Sequence, residues 1–294
     1  MGRPFRLMIA RRTAEQFLKE EGITTLPVDP FAIARSRDIE VQGKPESQGG
    51  VSGMLLRHGN SFGIIYSTHI QSEGFQRFSV SHELGHYFLE GHIDQVLQDG
   101  VHASHAGFVT ADPFELEADH FAAGLLMPET PFRRAMDEVD HCLDAIETLA
   151  AQCITSRTAT AIRFAELTRK AAAVIVSTGD TIDYCFMSDA MKSLPKLAWL
   201  RKGTRLPDGT ATARLAADPV QVQAGARVAD EIDVRDWLGG TTSRAVSEES
   251  VGLGAYGKVL TVLTSSEIGR AEDDVDEDDD EEALTESWTP RFRR

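Results

Sequence analysis

Two histidines four positions apart flank a glutamate in the run His82-Glu83-Leu84-Gly85-His86. On a helix this spacing puts both imidazoles on one face, within reach of a single cation. A catalytic zinc takes three protein ligands and leaves one position for water. His82 and His86 supply two neutral nitrogens. Glu83 stands beside the open position, where its carboxylate can take a proton from the bound water. The chemistry expected of this group is metal-assisted hydrolysis, with Glu83 as general base.

The chain has nine histidines, and the spacing arises by chance in roughly a few of every hundred such chains. Two satisfied core histidines are therefore the bland alternative, and a third ligand must support the metal reading. His92 falls where a HExxHxxGxxH pattern ends, but position 89 is Leu where that pattern needs glycine, so His92 is expected just past the helix end. His102 and His105 lie in a stretch, 92–113, that reads as loop. The better candidate is Glu115-Leu116-Glu117-Ala118-Asp119. Glu115 and Asp119 share a helix face, whereas Glu117 is turned away by about 200° at 3.6 residues per turn. Glu115 is the expected third ligand, with Glu117 as the remaining alternative. Asp119 is expected to accept the second N–H of a ligating histidine and fix its tautomer. Zinc is the expected ion, though mixed nitrogen and oxygen ligation also accepts manganese or iron. The oxyanion-stabilising group is not legible; Tyr87, His105 and His120 are the nearby candidates.

The elements that must hold these residues are readable in outline. Residues 11–21 have helical apolar spacing and stop at Gly22; Asp29 before Pro30 reads as a cap and first turn. DIEVQ, VSGMLLRHGN and SFGIIYST read as strands, the last two joined at Gly59-Asn60. The two site helices are expected over 77–90 and 113–127, the second bracketed by Pro113 and Pro128. Two more helical stretches, 130–152 and 156–171, precede the strands AAAVIVST and TIDYCFMS and a small β-containing module. The fold class expected is α+β: a peptidase-like region over 1–128, helices over 129–172, a module over 173–270 and a tail over 271–294. Gly252-Leu-Gly254-Ala-Tyr-Gly257 matches a kinase glycine loop, but no catalytic-loop signature exists anywhere, so it reads as a turn.

Composition sets outer limits. The net charge is −16, and EDDVDEDDDEE at 272–282 must be a solvated, self-repelling run. Such a balance leaves no broad electrostatic footprint for nucleic acid. No apolar run nears the roughly 20 residues that span a bilayer, and none of signal-peptide length opens the chain. The three cysteines, Cys142, Cys153 and Cys185, form no CxxC pair. They point to a reducing compartment and a cytoplasmic protein.

The runs Arg77-Phe78-Ser79-Val80-Ser81-His82-Glu83-Leu84-Gly85-His86 and Glu115-x-Glu117-Ala118-Asp119-x-Phe121-Ala122-Ala123-x-Leu125-Leu126-Met127-Pro128, with VDPFAIA at 28–34, resemble the ImmA/IrrE family of zinc metallopeptidases. The resemblance covers about 8–170; Asp119 stands where Asn is commoner. It implies a minimal gluzincin with a short sheet beside the active-site helices, followed by a helix-turn-helix-like segment, which LAAQCITSRTATAIRFAEL at 149–167 fits. It also implies endopeptidase cleavage of a helix-turn-helix repressor, releasing a stress, phage or mobile-element programme. Direct DNA binding is not expected. The rival reading is a non-proteolytic regulatory protein that grips a transcription factor or senses a ligand through a metallopeptidase-like fold.

Overall fold

The computed structural model describes residues 3–45, 50–105, 112–140, 142–241 and 243–265. The acidic run 272–282 lies outside them. The elements in chain order are α1 (Arg3–Glu20), α2 (Pro30–Ser36), β1 (Glu40–Lys44), β2 (Val51–His58), β3 (Ser61–Ser67), α3 (Glu73–Phe88), α4 (His92–Val96), β4 (Val101–His105), α5 (Pro113–Leu126), α6 (Glu129–Asp137), α7 (Leu143–Cys153) and α8 (Arg157–Leu167). Then come β5 (Ala171–Thr178), β6 (Thr181–Met187), α9 (Asp189–Lys192), α10 (Ala211–Ala216), α11 (Pro219–Ala224), β7 (Arg227–Asp233), α12 (Val234–Leu238), β8 (Ala245–Gly252) and β9 (Lys258–Ser265). They divide into two compact units. One holds residues up to Ala135 with Leu149–Ser156; the other holds Met136–Thr148 and residues from Arg157 on. The stretch 129–172 is thus shared between them.

In the first unit, α1 starts eight residues earlier than its apolar spacing predicts. Leu7, Ala10, Ala14, Phe17 and Leu18 form its buried stripe, and α5 packs along it. Asp29 caps α2 as expected, its Oδ1 accepting from the Phe31 and Ala32 N–H groups at 2.9 and 3.2 Å. The small sheet runs β1-β3-β2-β4. β1 pairs with β3 in parallel, while β2 pairs antiparallel with β3 and β4. The α3 helix is capped by Ser72, which accepts from Phe75, and it buries Val80 and Leu84 against Leu55, Ile64, Phe121 and Leu125. Arg77 anchors α3 from inside the fold, donating to the Val28 carbonyl. Pro113 opens α5, and the Asp112 carboxylate accepts from Phe114 N–H at 2.9 Å.

Two expectations need correction. The stretch 92–113, read as loop, contains α4 and the strand β4. Val101-His-Ala-Ser-His105 has no large apolar residue after Val101, so the apolar alternation that marks a strand is weak, and pairing with β2 supplies what the local sequence does not. The stretch 130–152, read as one helix, is α6 and α7, parted at Glu138-Val139-Asp140, where aspartate favours turns over helix interiors.

The second unit is built on an antiparallel five-stranded sheet, β6-β5-β9-β8-β7. Its inner strand β5, between β6 and β9, is buried from Ala171 to Ser177, and Met191, Trp237 and Leu238 pack on it. The buried Glu248 accepts from Ala211 N–H at 3.2 Å and Thr212 N–H at 2.8 Å, which ties α10 to the sheet. The glycine-rich run 252–257 is a turn into β9, closed by Leu253 N–H on the Lys258 carbonyl at 2.8 Å.

Candidate metal centre

Every residue of the candidate site lies in the first unit. The helices α3 and α5 approach closely because Gly85 faces Ala118. A Cβ on Gly85 would stand 3.0 Å from the Ala118 Cα and 3.1 Å from its carbonyl oxygen. Across this contact His82, His86 and Glu115 bring one donor atom each to within 4.8 Å of one another. His82 Nε2 and His86 Nε2 are 3.1 Å apart. Glu115 Oε2 is 3.4 Å from the first and Oε1 is 3.3 Å from the second. Ligands held tetrahedrally by zinc at about 2.05 Å must themselves lie roughly 3.3 Å apart. The three donors therefore stand at the separations one small cation requires.

The opposite face of each imidazole is also occupied. His82 Nδ1 is 2.8 Å from Asp119 Oδ1. Burial alone would lower the His82 pKa, but the carboxylates of Asp119 and Glu115 outweigh it and raise it well above the ordinary value. His86 Nδ1 meets His92 Nδ1 at 3.1 Å, and His92 Nε2 meets Glu117 Oε2 at 3.3 Å. Burial takes His86 down to about 3, which favours the neutral imidazole that a cation needs. Burial would raise Glu115, yet the three imidazoles of His102, His82 and His86 hold it far below the usual carboxylate range.

Glu83 is fully buried, and neither of its carboxylate oxygens has a hydrogen-bond partner. Burial pushes its pKa up to about 7, against the pull of His82 and of the nearby Ser104 hydroxyl. An unpartnered carboxyl beside a three-donor cluster is costly unless a polar species meets it. A cation with its bound water fits that need.

The geometry separates the two glutamates left open by the sequence. Glu115 faces both Nε2 atoms. Glu117 points away from the cluster as its rotation predicts, but it is buried rather than solvated, and Arg6 Nε reaches its Oε1 at 2.8 Å. His92 lies beyond the end of α3 as expected, but it is buried at the start of α4 with His86 in front and Glu117 behind. His102, expected on an unfixed loop, sits on β4 with its Nε2 2.9 Å from Glu115 Oε1. Two residues on, Ser104 approaches Glu83, so alternate positions of one edge strand face the site. Sequence reading missed the roles of His92, Glu117 and His102 because their partners are distant in the chain. Among the oxyanion candidates, His120 is 3.3 Å from Arg11, and Tyr87 packs edge-on to Phe62 and Phe88.

Two helices presenting His-Glu-x-x-His and Glu-x-x-x-Asp beside a small sheet define a metallopeptidase-like domain. Residues 34–165 match the model of the IrrE N-terminal-like domain, peptidase family M78. That match suggests a metallopeptidase. Among solved structures, a Mycobacterium tuberculosis transcriptional regulator is similar at a TM-score of 0.56 and 15% identity, over 87% of this chain and 76% of that one. At that identity the likeness is one of fold. No curated protein matches the chain. Among the described residues, no helix is long and apolar enough to cross a membrane.

Proposed function

We propose that this protein is a zinc-dependent endopeptidase whose substrate is a helix-turn-helix repressor, so that cleavage relieves repression. The observation that carries the catalytic part is the three-donor cluster at tetrahedral spacing with the unpartnered Glu83 carboxylate beside it. His82 and His86 would hold the cation through Nε2, and Glu115 through its carboxylate. When bound, the cation supplies Lewis acidity, lowering the pKa of water and polarising the scissile carbonyl. Glu83 takes the proton from the attacking water on its carboxylate and delivers it to the departing amine nitrogen. Asp119 accepts the His82 Nδ1 hydrogen, which leaves the Nε2 lone pair free for the cation.

The regulatory part rests on the family resemblance, and the fold is also that of a protein named a transcriptional regulator. Direct DNA binding through α7 and α8 is disfavoured by the basic residues themselves. Arg163 is buried and paired with Glu166 at 3.3 Å, and Arg157 pairs with Glu147 at 3.2 Å.

The test is metal analysis of wild type and Glu115→Ala, then incubation with a helix-turn-helix repressor as substrate. Wild type is expected to hold one zinc and cut; Glu83→Gln is expected to hold zinc and not cut. Cleavage by Glu83→Gln at the wild-type rate would overturn the catalytic assignment. A zinc-loaded wild type that binds that partner without cutting it would favour the non-proteolytic reading.

A further inference from the structure

A chain of polar contacts leaves the cluster behind His86 and ends on the N-terminal helix. His86 Nδ1 meets His92 Nδ1 at 3.1 Å, His92 Nε2 meets Glu117 Oε2 at 3.3 Å, and Arg6 closes on Glu117 at 2.8 and 3.3 Å. Both imidazoles are fully buried, and the Glu117 side chain is nearly so. The protons on this chain are set by one condition at its inner end. If His86 offers Nε2 to a cation, its single hydrogen must be on Nδ1, and it donates to His92 Nδ1. A neutral His92 that accepts at Nδ1 carries its own hydrogen on Nε2, and that hydrogen goes to Glu117. Glu117 must then be an anion out of water, and Arg6 is the cation that balances it. With His92 in the other tautomer, two N–H groups would face each other at one link and two lone pairs at the next. Buried groups left unsatisfied in this way cost about 1–3 kcal/mol each.

We propose that Arg6, Glu117 and His92 form a positioning relay that locks His86 in its metal-binding tautomer, so that α1 sets the affinity of the cation site. This rests on reading His82, His86 and Glu115 as the cation ligands. The two histidines are then braced differently. The Nδ1 of His82 leans directly on the Asp119 carboxylate, whereas the Nδ1 of His86 is linked to the Glu117 carboxylate through the His92 imidazole. The separation in sequence is wide: Arg6 and Glu117 are 111 positions apart. Removing the first turn of the N-terminal helix would therefore loosen His86, to which Arg6 is linked through Glu117 and His92.

The experiment uses the full chain. Zinc affinity is measured by chelator competition for wild type, Glu115→Ala, His92→Phe, Glu117→Gln, Arg6→Gln and Arg6→Lys. Cobalt-substituted absorption spectra provide a readout of ligand geometry that does not depend on activity. Phenylalanine keeps the ring that packs at 4.9 Å against Phe114 while deleting both polar links. The relay predicts a loss of roughly 10- to 100-fold in zinc affinity for His92→Phe and about tenfold for Glu117→Gln. Each should come with an altered cobalt spectrum and a retained fold. Arg6→Gln should weaken zinc less, and Arg6→Lys should restore most of the difference. Folded His92→Phe and Glu117→Gln proteins with zinc affinity within twofold of wild type would overturn the relay. If His92→Phe does not fold, Glu117→Gln and the Arg6 pair decide the matter alone. The two readings fail separately. A wild type that binds no zinc, or a Glu115→Ala that binds as tightly as wild type, sinks the site and the relay with it. Loss of zinc in Glu115→Ala with no loss in the relay variants sinks the relay only.

Discussion

Gly53 on β2 faces the carboxylate of Glu83 so closely that a Cβ added at Gly53 would stand 2.5 Å from Glu83 Oε1. The strand thus leaves the glutamate its space.

Gly53→Ala should therefore displace the Glu83 carboxylate without touching a cation donor. A misplacement of about 1 Å in a catalytic group can cost roughly 100-fold in rate. The expected result is a 10- to 100-fold fall in kcat with wild-type zinc content, measured by peptide cleavage and metal analysis on the same sample. Unchanged kcat would show that Glu83 works from another position.

Asp119→Ala removes the acceptor 2.8 Å from His82 Nδ1. Loss of such an outer hydrogen bond typically weakens metal binding by about 10- to 100-fold. Chelator competition should show that loss, and Asp119→Asn should recover much of it, because the amide oxygen can accept the same hydrogen. Equal weakening by both substitutions would mean that charge, not acceptance, matters at this position.

Gly85→Ala inserts a methyl where the Ala118 backbone lies 3.0–3.1 Å away. Backbone cannot swing aside, so α3 and α5 must separate. Overpacking of this kind costs about 1–3 kcal/mol, and the same movement pulls Glu115 from the two histidines. Denaturant unfolding should register the first effect and zinc competition the second, both in one variant.

The metal-free protein should show a pH dependence traceable to Glu83. Its folded pKa is raised by burial from 4.5 to about 7. A raised folded pKa contributes stability below pH 4.5 that is lost as pH climbs through 7. Glu83→Gln removes this titration. At pH 8 the metal-free variant should be more stable than metal-free wild type, by at most about 3 kcal/mol, and the gap should close by pH 4. Urea unfolding of chelator-treated samples at both pH values measures it. A gap that is absent at pH 8 or grows toward acid would contradict the burial of Glu83.

The sequence by itself determined what depends on local spacing. His82 and His86 share a face because they are four apart on a helix, and Glu115 shares one with Asp119 for the same reason. Asp29 before Pro30 starts a helix because the side chain and the fixed ring act within one turn. The turn at Gly59-Asn60 joins two strands for equally local reasons. Only the tertiary structure decided what stands behind and around those faces. Glu117 was legible only as turned away from the Glu115 face, yet Arg6 and His92 meet it there. His92 looked like the residue after a helix, yet it closes the back of His86. His102 gained a rigid strand from pairing with β2, not from its own neighbours. Periodicity reports which side a residue faces; it carries no information about which distant segment packs on that side. That is settled by the close contact of α1, α3 and α5, where long-range burial leaves polar groups no partner but one another.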